Sequence, residues 1–519
     1  MYDNRYGACL QGIDGTIVDV EIDISNGLPF FQIVGLPDSS VRESAERVRS
    51  AIKNTGAAFP MERITVNLAP ADVRKEGASF DLAIATGILA ASGQLSLPGL
   101  ERCLTIGELS LDGRLRPVHG VLPMVDAARR RGLTNVLLPA ENAEEAALIE
   151  GMRIAGIHNL KELLQYSGND LFKSLPDSQH PPKDRLQPQF SETWAEDFVD
   201  VCGQHQAKRA LTIAAAGMHN LIFVGPPGSG KTMLIRRLPS ILPVLSDEES
   251  LEVTKIYSAA GQLKDRTTLI RARPFRNPHH TVSMGGLVGA GSVPKPGEVS
   301  LAHRGVLFLD ELPEFPRNVL EVLRQPIEDR RVTISRAKAV FTFPTHFMLA
   351  GSMNPCPCGF YGFSGPAAAC SCSLPQVQRY RSRISGPLLD RIDIHVEVPR
   401  IDFDSMKRTE GNVSSEQIRQ SVEGAMLLQA ERYAGKGIRF NGELSGRLLR
   451  EYCRLPPDGD KLLAESFEAL SLSVRAHDRI LKIARTIADL DGSGAIRTAH
   501  LAEALQYRCL DRSMEDKFG

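Results

Sequence analysis

Eight residues, Gly225-Pro226-Pro227-Gly228-Ser229-Gly230-Lys231-Thr232, constrain the fold of this chain more than any other stretch. They follow the apolar run 220–224 (NLIFV) and open a helical pattern, the strand–loop–helix setting that a phosphate-binding P-loop requires. The glycines let backbone N–H groups curl around a phosphate, and the helix N-terminus adds the positive end of its dipole. Lys231 would bring a point charge to the β- and γ-phosphates of ATP, and Thr232 a hydroxyl to Mg²⁺. A Gly-rich turn could match this pattern by chance. The flanking strand and helix argue against that.

A second apolar strand, 305–309, ends in Asp310-Glu311 and so delivers two carboxylates to the C-terminal edge of a sheet, where ligands of open α/β folds bind. There Asp310 would hold Mg²⁺ and Glu311 would polarise an attacking water. Two acids after a strand can also simply cap the next helix. A third strand, 347–350, runs into Gly351-Ser-Met-Asn354, read as a turn that puts the Asn354 amide where it could orient the water. Asn at a turn is common in its own right.

Strands alternating with helices imply a parallel sheet with right-handed crossovers. At 519 residues, 42% hydrophobic and 24% charged, the chain is globular and long enough for about three domains. The stretch 174–190 is Pro-rich and aperiodic and reads as a linker within 173–195. Before it, alternating runs at 15–24 and 63–68 and helical patterns at 40–54 and 81–92 make residues 1–172 an α/β domain. After it come a helix at 204–217 and the P-loop core, 196–400. From 401 to 519 the pattern is helical, with candidates at 414–433, 458–470, 473–490 and 498–508.

Lys and Arg number 61 against 62 Asp and Glu, so no whole-chain charge selects nucleic acid or membrane, and any basic site must be local. One Trp and 6% aromatic residues disfavour a broad base-stacking platform. The N-terminal residues lack a signal-peptide pattern, and the apolar run 82–91 is too short to span roughly 30 Å of hydrocarbon. A cytoplasmic protein without a membrane segment is expected. Of nine cysteines, four are bunched as Cys356-Pro-Cys358 and Cys370-Ser-Cys372. They could complete a tetrahedral Zn²⁺ shell or be free, redox-active thiols.

These pieces in this order resemble the AAA+ ATPases. The run Arg276-Asn-Pro-His-His-Thr281, the segment 285–305 leading into Asp310-Glu311, Gly386-Pro-Leu-Leu-Asp390-Arg391-Ile-Asp393 and Ser473-Val-Arg475-Ala476-His477 narrow the match to the magnesium-chelatase-like clade. End to end, the chain resembles the ComM/YifB family of competence-related proteins. The resemblance implies an AAA+ parallel α/β core with a helical lid, in which Arg391 is an arginine finger reaching a neighbour's γ-phosphate and Arg475 is the sensor-2 arginine. As residues alone, either arginine could equally serve a solvated surface. It also implies a homohexameric ring and two insertions facing its pore. One is the Gly-rich stretch 285–297; the other is a hairpin over 331–343 with Arg336 and Lys338 at its tip. Such cations could track a DNA backbone or merely keep a hairpin edge soluble.

The N-terminal residues 106–120, 135–142 and 74–79 resemble the proteolytic domain of Lon, a ribosomal S5 domain 2-like α/β fold. Ser79 stands at the nucleophile position, but Met124 replaces the catalytic lysine, which implies an inactive, reused fold. The expectation is an ATP-driven hexameric DNA motor, a helicase or branch-migration factor. It would act in homologous recombination, including integration of transforming DNA in natural competence. Its partners would be single-stranded, forked or branched DNA and recombination proteins. The alternatives are a chelatase-type protein-remodelling ATPase, a Lon-type protease and a nucleotide-dependent scaffold.

Overall fold

The computed structural model describes residues 1–168, 171–173, 196–291, 294–336, 339–362, 369–400, 413–470 and 472–510. Most of the expected linker, 174–195, therefore lies outside the described residues, as does Lys338. By contact the chain divides into two compact units, one from 1–188, 247–270 and 294–296, the other from 189–246, 271–293 and 297–519.

The first unit is built on a seven-stranded sheet in the order Phe30–Val34, Arg63–Ala69, Asp14–Ser25, Tyr2–Gln11, Cys103–Thr105, Asn135–Pro139, Arg153–Ile157. Its first two strands in sequence form a hairpin in register from Tyr2↔Asp23 to Gln11↔Asp14, turned by Gly12 at φ 70°. The last three strands of the order run parallel to one another. Successive residues point to opposite faces, and both faces are covered. Leu137 joins the core with helices Ser39–Asn54 and Asp81–Ala91, while Val136 and Leu138 join the core with helix Val121–Arg130. Helix Asp81–Ala91 is buried almost all round, which accounts for its unbroken apolar run.

The segment 247–270, which in sequence lies between the P-loop and Asp310, is part of this unit. Its helix Asp247–Ala260 sets Lys255 in an ion pair with the buried Asp126, and Ser258 Oγ donates to Glu145 Oε1 at 2.5 Å. Leu269 is buried in the second core and Leu251 packs against it.

The second unit is built on a five-stranded, all-parallel sheet in the order Phe275–Arg276, Val306–Leu309, Met348–Met353, Leu221–Val224, Ile394–Glu397. The middle strand corrects the turn read at 351–354. It continues to Met353 because parallel strands flank it on both sides, pairing Val224↔Met353 and Leu309↔Gly351. On one face Leu221, Phe223, Val306, Phe308, Ile394 and Val396 share a single core with helices His205–Gly217, Ser415–Arg432 and Val474–Leu490. The two later helices begin at serines: Ser414 makes a capping box with Gln417, and Ser473 Oγ accepts from Ala476 N at 3.1 Å.

Candidate nucleotide site

The strand order places three loops side by side at the edge where the parallel strands end. The P-loop leaves Leu221–Val224, Asn354 leaves Met348–Met353 next to it, and Asp310-Glu311 leave Val306–Leu309 beyond. Gly228 and Gly230 take φ of 75° and 88°, the left-handed region that side chains avoid. At Gly225 a Cβ would lie 2.2 Å from the Val398 carbonyl, so only glycine lets the chains approach.

Lys231 Nζ donates to the carbonyls of Gly225 and Pro226 at 2.8 and 2.9 Å and to Asn354 Oδ1 at 3.2 Å. Burial pushes its pKa down, while Asp310 and Glu311 pull it back up. Thr232 Oγ1 donates to Asp310 Oδ2 at 2.9 Å. The hydroxyl and carboxylate expected to share Mg²⁺ thus face each other. Ser229 Oγ, within the same loop, is buried without a hydrogen-bond partner among the described residues, a donor left for a ligand to satisfy. Glu311 is exposed at φ 51°, a strained backbone of the kind found at active sites, and its N–H donates to Asp310 Oδ1 at 3.1 Å.

Ser352 was not singled out from the sequence. Its hydroxyl donates to Asp310 Oδ1 and accepts from Glu311 N at 3.3 Å, so it orients both acids. The available signal was a lone hydroxyl in an apolar central strand.

Arg391 and Arg475 are not at this edge. Ile394 pairs with Leu221 in a parallel strand, so Arg391 precedes the strands while the P-loop follows them, about 10 Å of strand away. Arg391 and Arg475 instead line one cavity of about 390 Å³ with Arg330, Arg479 and Lys482. Arg391 Nη2 pairs with Glu328 Oε1 at 2.6 Å and Nη1 donates to the Pro387 carbonyl at 2.5 Å. Asp393 lines the same cavity. Although burial opposes its ionisation, Arg479 and His219 hold its carboxyl well below the usual carboxylate range.

Arg331–Arg336 and Ala339–Pro344 form an antiparallel hairpin, in register from Arg331↔Pro344 to Arg336↔Ala339. Arg336 ends its first strand. The Gly-rich stretch overlaps a five-residue helix, Met284–Val288, and Arg276 makes a two-bond ion pair with Glu298 at 2.6 and 2.7 Å. The sulfurs of Cys356, Cys358, Cys370 and Cys372 all lie within 4.8 Å of one another. In the first unit, Ser79 is buried with its hydroxyl donating to the Ala8 carbonyl at 3.0 Å, and Met124 is a core residue.

The family Magnesium chelatase, subunit ChlI, matches residues 197–406; Subunit ChlI of Mg-chelatase matches 20–142; and Magnesium chelatase, subunit ChlI C-terminal, matches 412–508. Competence protein ComM of Haemophilus influenzae is 44% identical over 512 residues, 98% of each chain. The chain belongs to the ComM/YifB family. YifB of Escherichia coli is 41% identical over 501 residues, 96% of each chain. The magnesium-chelatase 38 kDa subunit of Cereibacter sphaeroides is 22% identical over 348 residues, 62% of this chain and 94% of its own. As a magnesium-chelatase-like AAA+ family, ComM/YifB implies use of ATP and Mg²⁺, which the residues around Lys231 fit. Among the described residues no helix is long and apolar enough to cross a membrane.

Proposed function

We propose that this chain is an ATP-hydrolysing, homohexameric motor of the cytoplasm that translocates on DNA. It would act as a helicase or branch-migration factor in homologous recombination, including integration of transforming DNA. The competence element of this reading rests on the name of the Haemophilus relative. The ATPase element rests on Lys231, Thr232, Asp310, Glu311 and Asn354 meeting at one sheet edge.

The observation that carries the ring is the separation of Arg391 and Arg475 from the chain's own P-loop. A cation at the edge where strands begin cannot reach a phosphate held at the edge where they end, so both arginines would serve a nucleotide bound by a neighbouring copy. Thr232 and Asp310 would hold Mg²⁺, which neutralises charge developing on the phosphate oxygens. Lys231 binds the same phosphates, Asn354 orients the attacking water, and Glu311 accepts its proton. Arg391 of the neighbour, freed from Glu328, stabilises the transferring group.

Arg336 and Lys338, which the sequence reading sets at a hairpin tip, would track a phosphate backbone without reading bases when repeated around a ring. The first unit is read as a Lon-like fold without proteolysis: Ser79 donates to a backbone carbonyl and Met124 offers no base. Its role would be a collar for single-stranded, forked or branched DNA or for recombination proteins. The four clustered cysteines would hold a structural Zn²⁺. A chelatase-type ATPase that remodels a partner protein is the second reading, favoured by the match to the 38 kDa subunit.

The test is ATP turnover with and without forked or four-way DNA at low salt, with mass photometry of the ATP-bound protein. Turnover should rise with DNA, and Glu311→Gln should lose about 10²-fold or more of it while holding ATP as hexamers. Turnover indifferent to DNA, with no DNA binding by Glu311→Gln, would overturn the motor reading in favour of protein remodelling.

A further inference from the structure

We infer that the nucleotide site is metal-dependent: Zn²⁺ held by Cys356, Cys358, Cys370 and Cys372 fixes the loop that grips the P-loop, so nucleotide affinity is linked to the metal. This rests on the nucleotide-binding reading above. Sulfur separations are 3.3 Å for Cys356–Cys358, 3.8 Å for Cys356–Cys370 and 3.6 Å for Cys358–Cys370. Four thiolates at Zn–S distances of about 2.3 Å form a tetrahedron with edges of about 3.8 Å, so the cage is close to the right size. Binding would send the thiol protons to solvent, and the metal would neutralise thiolates that otherwise repel.

The position of this cage makes it more than a local staple. Two residues before Cys356, Asn354 Oδ1 accepts from Lys231 Nζ at 3.2 Å. One residue after Cys358, Gly359 takes φ of 88°, and a Cβ there would lie 2.5 Å from Pro227 Cδ and 2.8 Å from Cγ. The loop therefore meets the P-loop at two points, Lys231 through Asn354 and Pro227 through Gly359, and Cys356 and Cys358 lie between those two residues in sequence. Further anchors keep the loop seated: Arg381 Nε donates to the Pro355 carbonyl at 3.1 Å, and Tyr361 N donates to Cys356 Sγ at 3.3 Å. Releasing the metal would free Gly359 and Asn354 together.

The experiment uses the full chain carrying Glu311→Gln, purified without chelator. Zinc is counted by elemental mass spectrometry, and affinity is measured with a fluorescent ATP analogue. One zinc per chain is expected. Cys370→Ser with Cys372→Ser should lose the zinc and raise Kd about tenfold. Gly359→Ala should keep the zinc and weaken binding to a similar degree, because its Cβ displaces Pro227. Absence of zinc, a disulfide within the cluster in place of zinc, or unchanged affinity in Gly359→Ala would overturn the inference. Lys231→Ala distinguishes the two levels. If it binds the analogue normally, the nucleotide reading itself fails; if it does not, but the cysteine variant binds normally, only the metal link fails.

Discussion

Asp393 and Glu311 illustrate how a single residue can be placed against its own preference. Glu311 keeps a left-handed backbone that an unbranched carboxylic side chain disfavours, held by hydrogen bonds to Asp310 and Ser352. Asp393 is ionised in a buried site because Arg479 and His219 face it and Asn220 N donates to it at 3.0 Å. Asp393→Ala would leave Arg479 and Lys482 without their carboxylate, and denaturant unfolding should read a loss of about 3–5 kcal/mol. The pH dependence follows from the direction of the shift. An unfolded Asp protonates near pH 4 while Asp393 stays ionised, so its contribution is complete above about pH 4 and drains away as pH falls further. The urea midpoint of wild type should therefore exceed that of Asp393→Ala by less at pH 3 than at pH 7. The P-loop, Asp310, Glu311 and Asn354 were legible because a strand-end position and a residue type suffice to suggest their chemistry. Ser352 was not, since its role exists only once two strands are paired.

At the scale of elements, helix Asp247–Ala260 is the piece least expected from sequence. Its pattern is weakly amphipathic, and nothing in its composition says which core receives it. The structure gives the answer through one charge: Lys255 meets Asp126, and despite burial this cation and Arg130 hold the Asp126 carboxyl below its ordinary value. Asp126→Ala should therefore raise hydrogen exchange across 247–260 and leave helix Lys231–Arg236 unchanged. Equal protection of 247–260 in the variant would mean that Leu251 and Leu269 hold the segment without the ion pair. The middle strand was read too short for a related reason. Gly351 and Ser352 look like turn residues locally, and only pairing on both sides makes them strand. Helix starts fared better, because a serine cap is a local signal that needs no tertiary partner.

For the whole molecule, the division of labour between the two sheet edges gives a direct test of assembly. Arg391→Ala keeps Lys231 and Glu311, and Glu311→Gln keeps Arg391, so each alone should be inactive for a different reason. Mixed, they should regain part of the turnover at interfaces that join one variant's Glu311 to the other's Arg391. Inactive mixtures of assembled protein would place Arg391 outside the reaction. That both arginines line one cavity was invisible in the sequence, where they lie 84 positions apart (475 − 391) in different motifs. The first unit's composition also bears on inheritance. Because 247–270 completes it from within the stretch that forms the P-loop sheet, no single breakpoint divides the gene into two self-sufficient products. A fragment starting at residue 196 would carry Leu251 and Leu269 bare to water, and its complement would lack the lysine opposite Asp126. In this chain a single breakpoint between 196 and 246 would therefore damage both parts.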